Sequence, residues 1–222
     1  MRVVTIDGPA GAGKSTVARL LAGRLGWRLL DTGAMYRAVT VAALRAGVDL
    51  GSDEALAALV GRIVVDLPPG RVVLDGEDIT EQVRDVEVTR KTRHAADSPS
   101  VRRRLLAWQR DFAAAEREVV TEGRDQGTLV FPLAFRKYFL TASDAERAKR
   151  RHAEFLGKGD PIALEEVLAD IQARDAQDAS RSIAPMVPAA DASILDSSGL
   201  DLDEVVDRIE RDVRQAASLL PA

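Results

Sequence analysis

The residues best suited to chemistry form the segment GPAGAGKS, from Gly8 to Ser15. It matches the pattern G-x-x-x-x-G-K-[ST], with a predicted strand before it and a predicted helix after it. Its glycines allow successive backbone N–H groups to form a nest for phosphate oxygens, and the helix beginning at Lys14 adds the positive end of its dipole. Lys14 would reach the β- and γ-phosphates, and the Ser15 hydroxyl would bind Mg²⁺. The alternative is a glycine-rich turn with an exposed lysine. The predicted nucleoside triphosphate site comprises Gly8, Gly11, Ala12, Gly13, Lys14, Ser15 and Thr16.

A second candidate segment, LLDTGAMYR, follows the second predicted strand. Ligands of open α/β sheets bind where strands end and helices begin. Thr32 would cap the following helix, and the fork-shaped guanidinium of Arg37 could bind a phosphate or a carboxylate. An ordinary helix start followed by a solvated arginine fits the same residues, so both interpretations stay open.

The segment VVTEGRDQGTLVFP places Glu122, Arg124 and Asp125 at the end of a predicted buried strand. Charged groups beside a core need either an ionic partner or exposure in a cleft. One interpretation is an ion pair within the segment. The other is functional, because an adjacent arginine and aspartate can contact a nucleobase edge or position a phosphoryl acceptor.

Two predicted helices carry further arginines. In RDAQDASR, Arg174, Asp178 and Arg181 are spaced at i, i+4 and i+7, which predicts a single helix face. In ERAKRR, Arg147 and Arg151 share a face. Kinases use such arginines in their lids to neutralise charge on the transferring phosphoryl group. Solvated salt-bridge ladders and exposed helical arginines are the alternatives.

The hydrophobic pattern predicts the elements that must position these residues. Five short apolar runs are continuous rather than alternating, as in a parallel sheet that helices cover on both faces. The predicted strands are 2–6, 27–30, 118–121, 137–140 and 192–195. Apolar residues at three- and four-residue spacing predict helices at 15–25, 34–46, 101–115, 145–156, 165–176 and 203–219. We therefore expect a doubly wound α/β core.

One segment interrupts the alternation of strands and helices. Residues 63–67, the turn PPGR, residues 72–74 and then DGEDIT indicate a small antiparallel unit, because Pro-Pro-Gly and Asp-Gly form turns between β-branched runs. We expect a single domain over 1–222, with its core at 1–62 and 105–222. The insertion at about 63–104 could hold a second substrate.

Composition argues against several classes of protein. The net charge of −4 gives no overall reason to expect nucleic-acid binding. The sequence contains no cysteine, which removes disulfides, thiolate chemistry and Cys-ligated zinc. The first residues reach Asp7 too soon for a signal peptide, and no run approaches the ~18 apolar residues of a membrane span. We expect a cytoplasmic protein without nucleic-acid or membrane partners.

The identity of a second substrate is open from these residues alone. The chain contains no asparagine, so it lacks the N-K-x-D segment with which GTPases read guanine. A transfer enzyme must instead hold a polar or anionic acceptor opposite the loop. The alternatives are a P-loop kinase of a small acceptor such as UMP, AMP or shikimate, and a nucleotide-dependent switch without acceptor chemistry.

Together these segments resemble the bacterial cytidylate kinases (CMP kinases), P-loop nucleoside monophosphate kinases, over almost the full chain. The similar stretches, in matching order and spacing, are TIDGPAGAGKST, WRLLDTGAMYRA, LDGEDIT, TEGRDQGTLVFP, FLTAS, ERAKRR and APMVPAADASILDSS. The resemblance implies a P-loop NTPase-type parallel sheet of about five strands, an antiparallel and helical NMP-binding insertion, and a helical lid at about 144–182. It implies a monomer that transfers the γ-phosphoryl group of ATP, with Mg²⁺, to CMP or dCMP in pyrimidine nucleotide metabolism.

The resemblance also implies roles for residues that match the family pattern. The implied acceptor-binding residues are Thr32, Arg37, Arg102, Arg124, Asp125, Arg174, Asp178 and Arg181. Asp178 would hold the pentose, and Arg174 and Arg181 the monophosphate. Asp125 can accept a hydrogen bond from the cytosine amino group while Arg102 donates one, so this pair would select cytosine over uracil. Thr32 would lie near the nucleobase and Arg37 near the monophosphate.

The implied catalytic residues are Lys14, Arg124, Asp125, Arg147 and Arg151. In-line attack by an acceptor phosphate oxygen on the γ-phosphorus needs positioning and charge neutralisation rather than a covalent intermediate. Because water must be excluded, we expect the insertion and the lid segment 147–159 to close, with GKGDP as a mobile tip. Three features depart from the family pattern: Gln126 replaces an aliphatic residue, FPLAF replaces FPDA, and Arg93 replaces a small hydroxyl residue.

Overall fold

The computed structural model describes residues 1–157, 159, 161–181 and 183–219. The chain divides into two compact units, the larger formed by Met1–Leu29 with Glu118–Ala222 and the smaller by Leu30–Arg117. The expected boundaries of the insertion at 63–104 stay a prediction. The predicted mobile tip GKGDP includes Lys158 and Asp160, which lie outside the described residues.

The strands and helices alternate along much of the chain. The strands are β1 Arg2–Asp7, β2 Arg28–Asp31, β3 Val65–Asp66, β4 Val73–Leu74, β5 Glu77–Asp78, β6 Glu118–Gly123, β7 Arg136–Thr141 and β8 Ser193–Asp196. The helices are α1 Lys14–Leu25, α2 Thr32–Arg45, α3 Asp53–Val60, α4 Val86–Asp97, α5 Pro99–Glu116, α6 Asp144–Gly157, α7 Leu164–Ser180 and α8 Leu202–Ser218. Five strands and six helices therefore lie where the hydrophobic pattern predicts them. α4 lies in the insertion that the resemblance implies to be partly helical, and α3 was not predicted.

A five-stranded parallel sheet with the strand order β2-β6-β1-β7-β8 confirms the expected α/β class. β1 is the central strand. Its last residue, Asp7, lies opposite Gly123 of β6 and Phe139 of β7. The segments that follow β1 and β6 therefore begin side by side at the carboxyl edge of the sheet, where open α/β sheets bind ligands.

The core of the larger unit explains why its strands are continuous apolar runs. Val4, Ile6 and Leu140 of the sheet, Leu21 of α1 and Ile209 of α8 belong to one buried cluster. Helices pack on such strands from both faces, so both alternating positions of a strand must be apolar. This packing fixes the end of β1, and with it the start of the glycine-rich loop.

The antiparallel pairs β3 with β4 and β4 with β5 confirm the predicted small antiparallel unit within the smaller compact unit. Between β4 and β5, Asp75 and Gly76 have φ angles of 50° and 85°. Positive φ at both central residues is the geometry of a two-residue hairpin turn, which Asp-Gly favours.

The start of α2 differs from its prediction. Asp31, not Thr32, is the N-cap, because its carboxylate accepts the Ala34 N–H at 2.7 Å. An aspartate is at least as good an N-cap residue as a threonine, and here the last residue of β2 is an aspartate one position before Thr32. Thr32 is instead the buried first residue of the helix.

Among the helices that the structure describes, none combines the length and the hydropathy needed to cross a bilayer.

Candidate active site

The loop between β1 and α1 depends on glycine at three positions. Gly8, Gly11 and Gly13 have φ angles of 144°, 74° and 89°. A Cβ on Gly8 would lie 2.0 Å from the Leu140 carbonyl oxygen, and a Cβ on Gly11 would lie 3.0 Å from the Arg147 carbonyl oxygen. Positive φ and close backbone approach both exclude larger side chains. The loop therefore has the backbone freedom that a phosphate-binding nest needs.

Lys14, the first residue of α1, is buried, and its Nζ donates a hydrogen bond to the Pro9 carbonyl oxygen at 2.8 Å. Burial, together with the nearby positive charges of Arg124 and Arg174, lowers the pKa of Lys14 to about 7, and the negative charge of Glu122 opposes this shift. A bound polyphosphate would stabilise the charged form of this lysine, because phosphate oxygens would replace the hydration that burial removes.

The Ser15 hydroxyl donates a hydrogen bond to Glu122 Oε1 at 3.0 Å. A hydroxyl and a carboxylate are the hard oxygen ligands that Mg²⁺ prefers, and Mg²⁺ in kinases takes one or two protein ligands and completes its shell with phosphate oxygens and water. Among the described residues, no group of three or more histidine, cysteine or acidic side chains could hold a metal ion. The pair fits a Mg²⁺ ion that arrives with the nucleotide.

Asp7 holds the segment that follows β6. Its carboxylate accepts the N–H groups of Gln126 and Gly127 at 2.9 and 2.7 Å. Burial raises the pKa of Asp7 to about 6, although these two hydrogen bonds favour the charged form. A Cβ on Gly127 would lie 3.3 Å from Asp7 Oδ2, so the glycine permits this close approach. Asp7 thus fixes the backbone next to Asp125.

Gln126, which departs from the family pattern, has a structural explanation. It is 1% exposed, and its side-chain oxygen accepts a hydrogen bond from the Thr121 hydroxyl at 3.0 Å. Residues Gln126–Val130 form a short π-helical turn. A buried amide is tolerated here because a strand residue supplies its partner.

Arg124 and Asp178 connect β6 to α7. Arg124 Nε donates to Asp178 Oδ2 at 2.9 Å, and Arg181 Nη2 lies 2.8 Å from Asp178 Oδ1. α7 ends at Ser180, so Arg181 follows the helix instead of lying on its predicted face. The structure nevertheless brings these three residues together, and the charge of Arg174 on the same helix reaches Lys14.

The two predicted lid arginines differ in their surroundings. Arg147 is 4% exposed, and its guanidinium donates to the carbonyl oxygens of Ala142 and Ala10 at 3.1 and 2.7 Å. Arg151 lies 3.2 Å from Glu154 Oε2, and its guanidinium carbon is 4.9 Å from the centre of the Phe155 ring. Their predicted role in neutralising phosphoryl charge stays a prediction.

The smaller unit contains the other predicted acceptor residues. Arg37 Nη2 lies 3.5 Å from both carboxylate oxygens of Asp31. Arg102 on α5 is buried and donates to the Ala96 carbonyl oxygen at 3.0 Å, with its guanidinium carbon 6.0 Å from the centre of the Tyr36 ring. Arg93 lies on α4 and is exposed. Within this unit, arginines therefore lie both near the start of α2 and on α5.

Sequence reasoning left three acidic residues without a role. Asp7 lies inside the matched stretch TIDGPAGAGKST, Glu122 precedes the predicted pair Arg124 and Asp125, and Asp175 lies inside RDAQDASR. The available signal for a role was that all three residues lie in segments already selected as candidate sites because of other residues. Their partners are far away along the chain, so spacing alone could not identify the contacts.

A central parallel strand that runs through a glycine-rich loop into a helix beginning with a buried lysine defines the class of P-loop nucleotide-binding proteins. Solved structures agree on the fold. A gluconokinase from Sinorhizobium meliloti 1021 matches with a TM-score of 0.51 and 16% identity, over 98% of this chain and 95% of that one. An uncharacterised protein from Eubacterium ventriosum ATCC 27560 matches with a TM-score of 0.53 and 13% identity, over 96% and 99%.

The family follows from sequence comparison. The model of the family described as Cytidylate kinase matches residues 4–215. The curated Cytidylate kinase of Nocardia farcinica (strain IFM 10152) is 48% identical over 222 residues, which cover 97% of this chain and 95% of that protein. The Cytidylate kinase of Desulforamulus reducens (strain MI-1) is 47% identical over 211 residues, which cover 94% and 95%. The chain belongs to the cytidylate kinase family, which confirms the resemblance found in its segments.

Proposed function

We propose that this protein transfers the γ-phosphoryl group of ATP to CMP or dCMP and forms the corresponding diphosphate. Membership of the cytidylate kinase family supports the reaction class, a phosphotransferase with a phosphate group as acceptor. We further propose that it acts as a cytoplasmic monomer on small-molecule substrates, without nucleic-acid or membrane partners. The net charge of −4 gives no overall reason to expect nucleic-acid binding.

The observation that carries the proposal is the charge distribution around Lys14. Arg124 and Arg174, which lie on segments assigned to the acceptor, come close enough to lower the pKa of this loop lysine. The positive charges of Lys14, Arg124 and Arg174 repel one another although Glu122 and Asp178 lie near them, and bound anions would reduce this repulsion. A polyphosphate donor and a monophosphate acceptor would supply those anions together.

In the mechanism, an oxygen of the acceptor phosphate attacks the γ-phosphorus in line as the bond from that phosphorus to the ADP oxygen breaks. Lys14 and the loop N–H groups hold the donor phosphates. Arg174 and Arg181 hold the acceptor phosphate, Asp178 the pentose, and Arg124 and Asp125 orient the acceptor. The protein forms no covalent intermediate, because placing two bound reactants in line supplies a large part of the rate.

Mg²⁺ bound through Ser15 would neutralise charge on the β- and γ-phosphates when the nucleotide is present. Glu122 accepts a hydrogen bond from the Ser15 hydroxyl and so orients the Ser15 Oγ. Arg151 in α6 is the proposed lid cation, and Thr32, Arg37 and Arg102 are proposed acceptor contacts of the smaller unit. These assignments rest on the family pattern.

An ADP-release assay tests the function. With ATP and Mg²⁺, we expect CMP and dCMP to stimulate ADP release strongly, and UMP, AMP and shikimate to do so weakly or not at all. The CMP preference over UMP should fall in Asp125→Ala. Stimulation by another acceptor in place of CMP and dCMP would support a different P-loop kinase. Slow ATP hydrolysis that no acceptor changes would support a nucleotide-dependent switch.

A further inference from the structure

Both backbone polar groups of Ala10, inside the glycine-rich loop, are held by side chains of the two helices that follow β7. The Ala10 N–H donates to Asp175 Oδ1 of α7 at 3.0 Å. The Ala10 carbonyl oxygen accepts from Arg147 Nη1 of α6 at 2.7 Å. Arg147 and Asp175 also form a salt bridge with each other. The three residues thus form a closed cycle of hydrogen bonds, called here the Ala10 clasp.

The remaining contacts of Arg147 also lie within the protein. Its Nε donates to the Ala142 carbonyl oxygen at 3.1 Å, and its Nη2 lies 2.6 Å from Asp144 Oδ1. Gln172 of α7 holds the second oxygen of Asp144 at 3.0 Å. Two carboxylates therefore neutralise the Arg147 charge. A guanidinium engaged at every nitrogen is suited to fixing geometry, because contacting a phosphate directly would require it to give up bonds made while buried.

Backbone contact adds to the clasp. A Cβ on Gly11 would lie 3.0 Å from the Arg147 carbonyl oxygen and 3.1 Å from the Arg147 Cβ. The first turns of α6 therefore touch the loop directly at the residue after Ala10. A shift of α6 or α7 must move this part of the loop, because the interior is too closely packed to absorb it.

α7 also holds the proposed acceptor residues. Asp175 lies three residues before Asp178, so the two carboxylates are neighbours on the helix surface. Asp178 bonds Arg124 and Arg181. An acceptor nucleotide that takes Asp178 and Arg181 as partners must compete with these bonds. A change in the bonds of Asp178 therefore acts on α7, the helix whose Asp175 accepts the Ala10 N–H.

We propose that Arg147 and Asp175 are positioning residues that hold the glycine-rich loop in register with α7 and so couple ATP binding to acceptor binding. Because the acceptor is CMP or dCMP, this inference rests on the proposed function. Under this proposal, Arg147 acts by positioning the loop instead of contacting a phosphate. Asp175, which had no role from the sequence, acts together with it. Coupling between two ligands is reciprocal, so each should tighten the binding of the other by the same factor.

Binding measurements on the intact protein test the coupling. The dissociation constant of a non-hydrolysable ATP analogue with Mg²⁺ is measured by calorimetry with and without CMP, and that of CMP with and without the analogue. In the wild type, we expect each ligand to tighten the other about 5-fold or more. In Asp175→Asn, binding of the analogue alone should weaken about 10-fold, since a charged hydrogen bond is lost, while binding of CMP alone changes little. The coupling factor should fall towards one.

Two further variants sharpen the test. Glu166→Gln makes the same carboxylate-to-amide change at an exposed position of α7 and should behave as the wild type. Arg147→Lys should reproduce Asp175→Asn, and the double variant should add little, because both changes open the same cycle. Exchange of the Ala10 amide hydrogen should be slow in the wild type and faster in Asp175→Asn, which separates loss of the clasp from general unfolding.

The outcomes distinguish the two proposals. A wild type without coupling, or an Asp175→Asn variant that binds the analogue as tightly as Glu166→Gln does, overturns the clasp. Equal weakening of CMP and the analogue would make Asp175 an acceptor-site or structural residue and also overturns it. Failure of CMP and dCMP to accept phosphate in the wild type overturns the proposed function instead, while weaker analogue binding in Asp175→Asn would still support positioning of the loop.

Discussion

At the scale of single residues, Lys14 shows how burial prepares a group for its ligand. Burial and neighbouring positive charge lower its pKa from 10.5 to about 7. Between these two values the unfolded chain binds a proton that the folded protein does not. The free energy of unfolding therefore gains a contribution as the pH rises through this range and loses it as the pH falls towards about 7.

We expect ATP binding to raise the pKa of Lys14, because the polyphosphate favours the ammonium form. About one pH unit above the pKa of Lys14 in the free protein, complex formation should take up close to one proton per site. At a pH about two units lower than that, Lys14 of the free protein already carries its proton, so the uptake by Lys14 should vanish. Calorimetry in buffers with different ionisation enthalpies measures this uptake. Lys14→Gln controls for protons bound by the nucleotide itself. Equal uptake in Lys14→Gln and the wild type would contradict the prediction.

Single residues also mark where prediction from sequence was possible. Lys14 and Ser15 were predictable because a loop of eight consecutive residues carries its own spacing pattern. The partners Asp175 and Ala10 are separated by 165 positions, so only the fold brings them together. The helix cap shows the same limit of prediction over a distance of one residue. Asp31 is both the last residue of β2 and the N-cap of α2, and the sequence alone favoured Thr32.

At the scale of elements, the junction between β1 and the glycine-rich loop is packed against β7. Gly8 has a φ of 144°, and a Cβ there would lie 2.0 Å from the Leu140 carbonyl oxygen. Gly199 has a φ of 141°, and a Cβ there would meet no atom of the described residues within 4 Å. The two glycines thus have similar positive φ angles and differ in their surroundings.

Replacing each of these glycines by alanine separates strain from collision. Gly199→Ala should lower the free energy of unfolding by about 1–3 kcal/mol through backbone strain alone. Gly8→Ala should lose about 1–3 kcal/mol more, because the strand β7 backbone must move. Chemical denaturation of both variants measures the difference. Equal losses would show that the contact with Leu140 does not constrain the loop.

The elements themselves were largely predictable. Continuous apolar runs located all five strands of the large sheet within one or two residues. Burial on both faces gives β1 and β6 a strong pattern, whereas β8 at the edge of the sheet is mostly exposed. α3 was not predicted, although Leu56, Leu59 and Val60 have helical spacing, because its eight residues are too few for the window on which a periodicity prediction depends. The small antiparallel sheet was predictable from its turns. The strand order was a matter of packing rather than of any local signal.

At the scale of the whole molecule, the proposed acceptor residues belong to both compact units. Thr32, Arg37 and Arg102 lie in Leu30–Arg117, whereas Arg124, Asp178 and the glycine-rich loop lie in the larger unit. Transfer to an acceptor in preference to water requires the reacting phosphates to be shielded. Segments that close over the nucleotides are the usual means.

We expect amide hydrogen exchange in residues 63–104 and in 147–157 to slow when CMP and a non-hydrolysable ATP analogue bind together, beyond the effect of either alone. Closure lowers the population of open states, so exchange of backbone N–H groups falls. Exchange measured by mass spectrometry on the free, singly bound and doubly bound protein tests this expectation. α8, which belongs to the buried core of the larger unit, is the internal reference. Unchanged exchange in both segments would argue against closure.

The sequence by itself determined the glycine-rich loop, the α/β class, the antiparallel unit and the family, because each depends on patterns within short segments or on their order. The tertiary structure decided which distant groups meet: Asp7 with Gly127, Arg124 with Asp178, and Arg147 and Asp175 with Ala10. Such contacts follow from strand order and helix packing, which are set by burial of apolar surface over the whole chain. No local spacing encodes them.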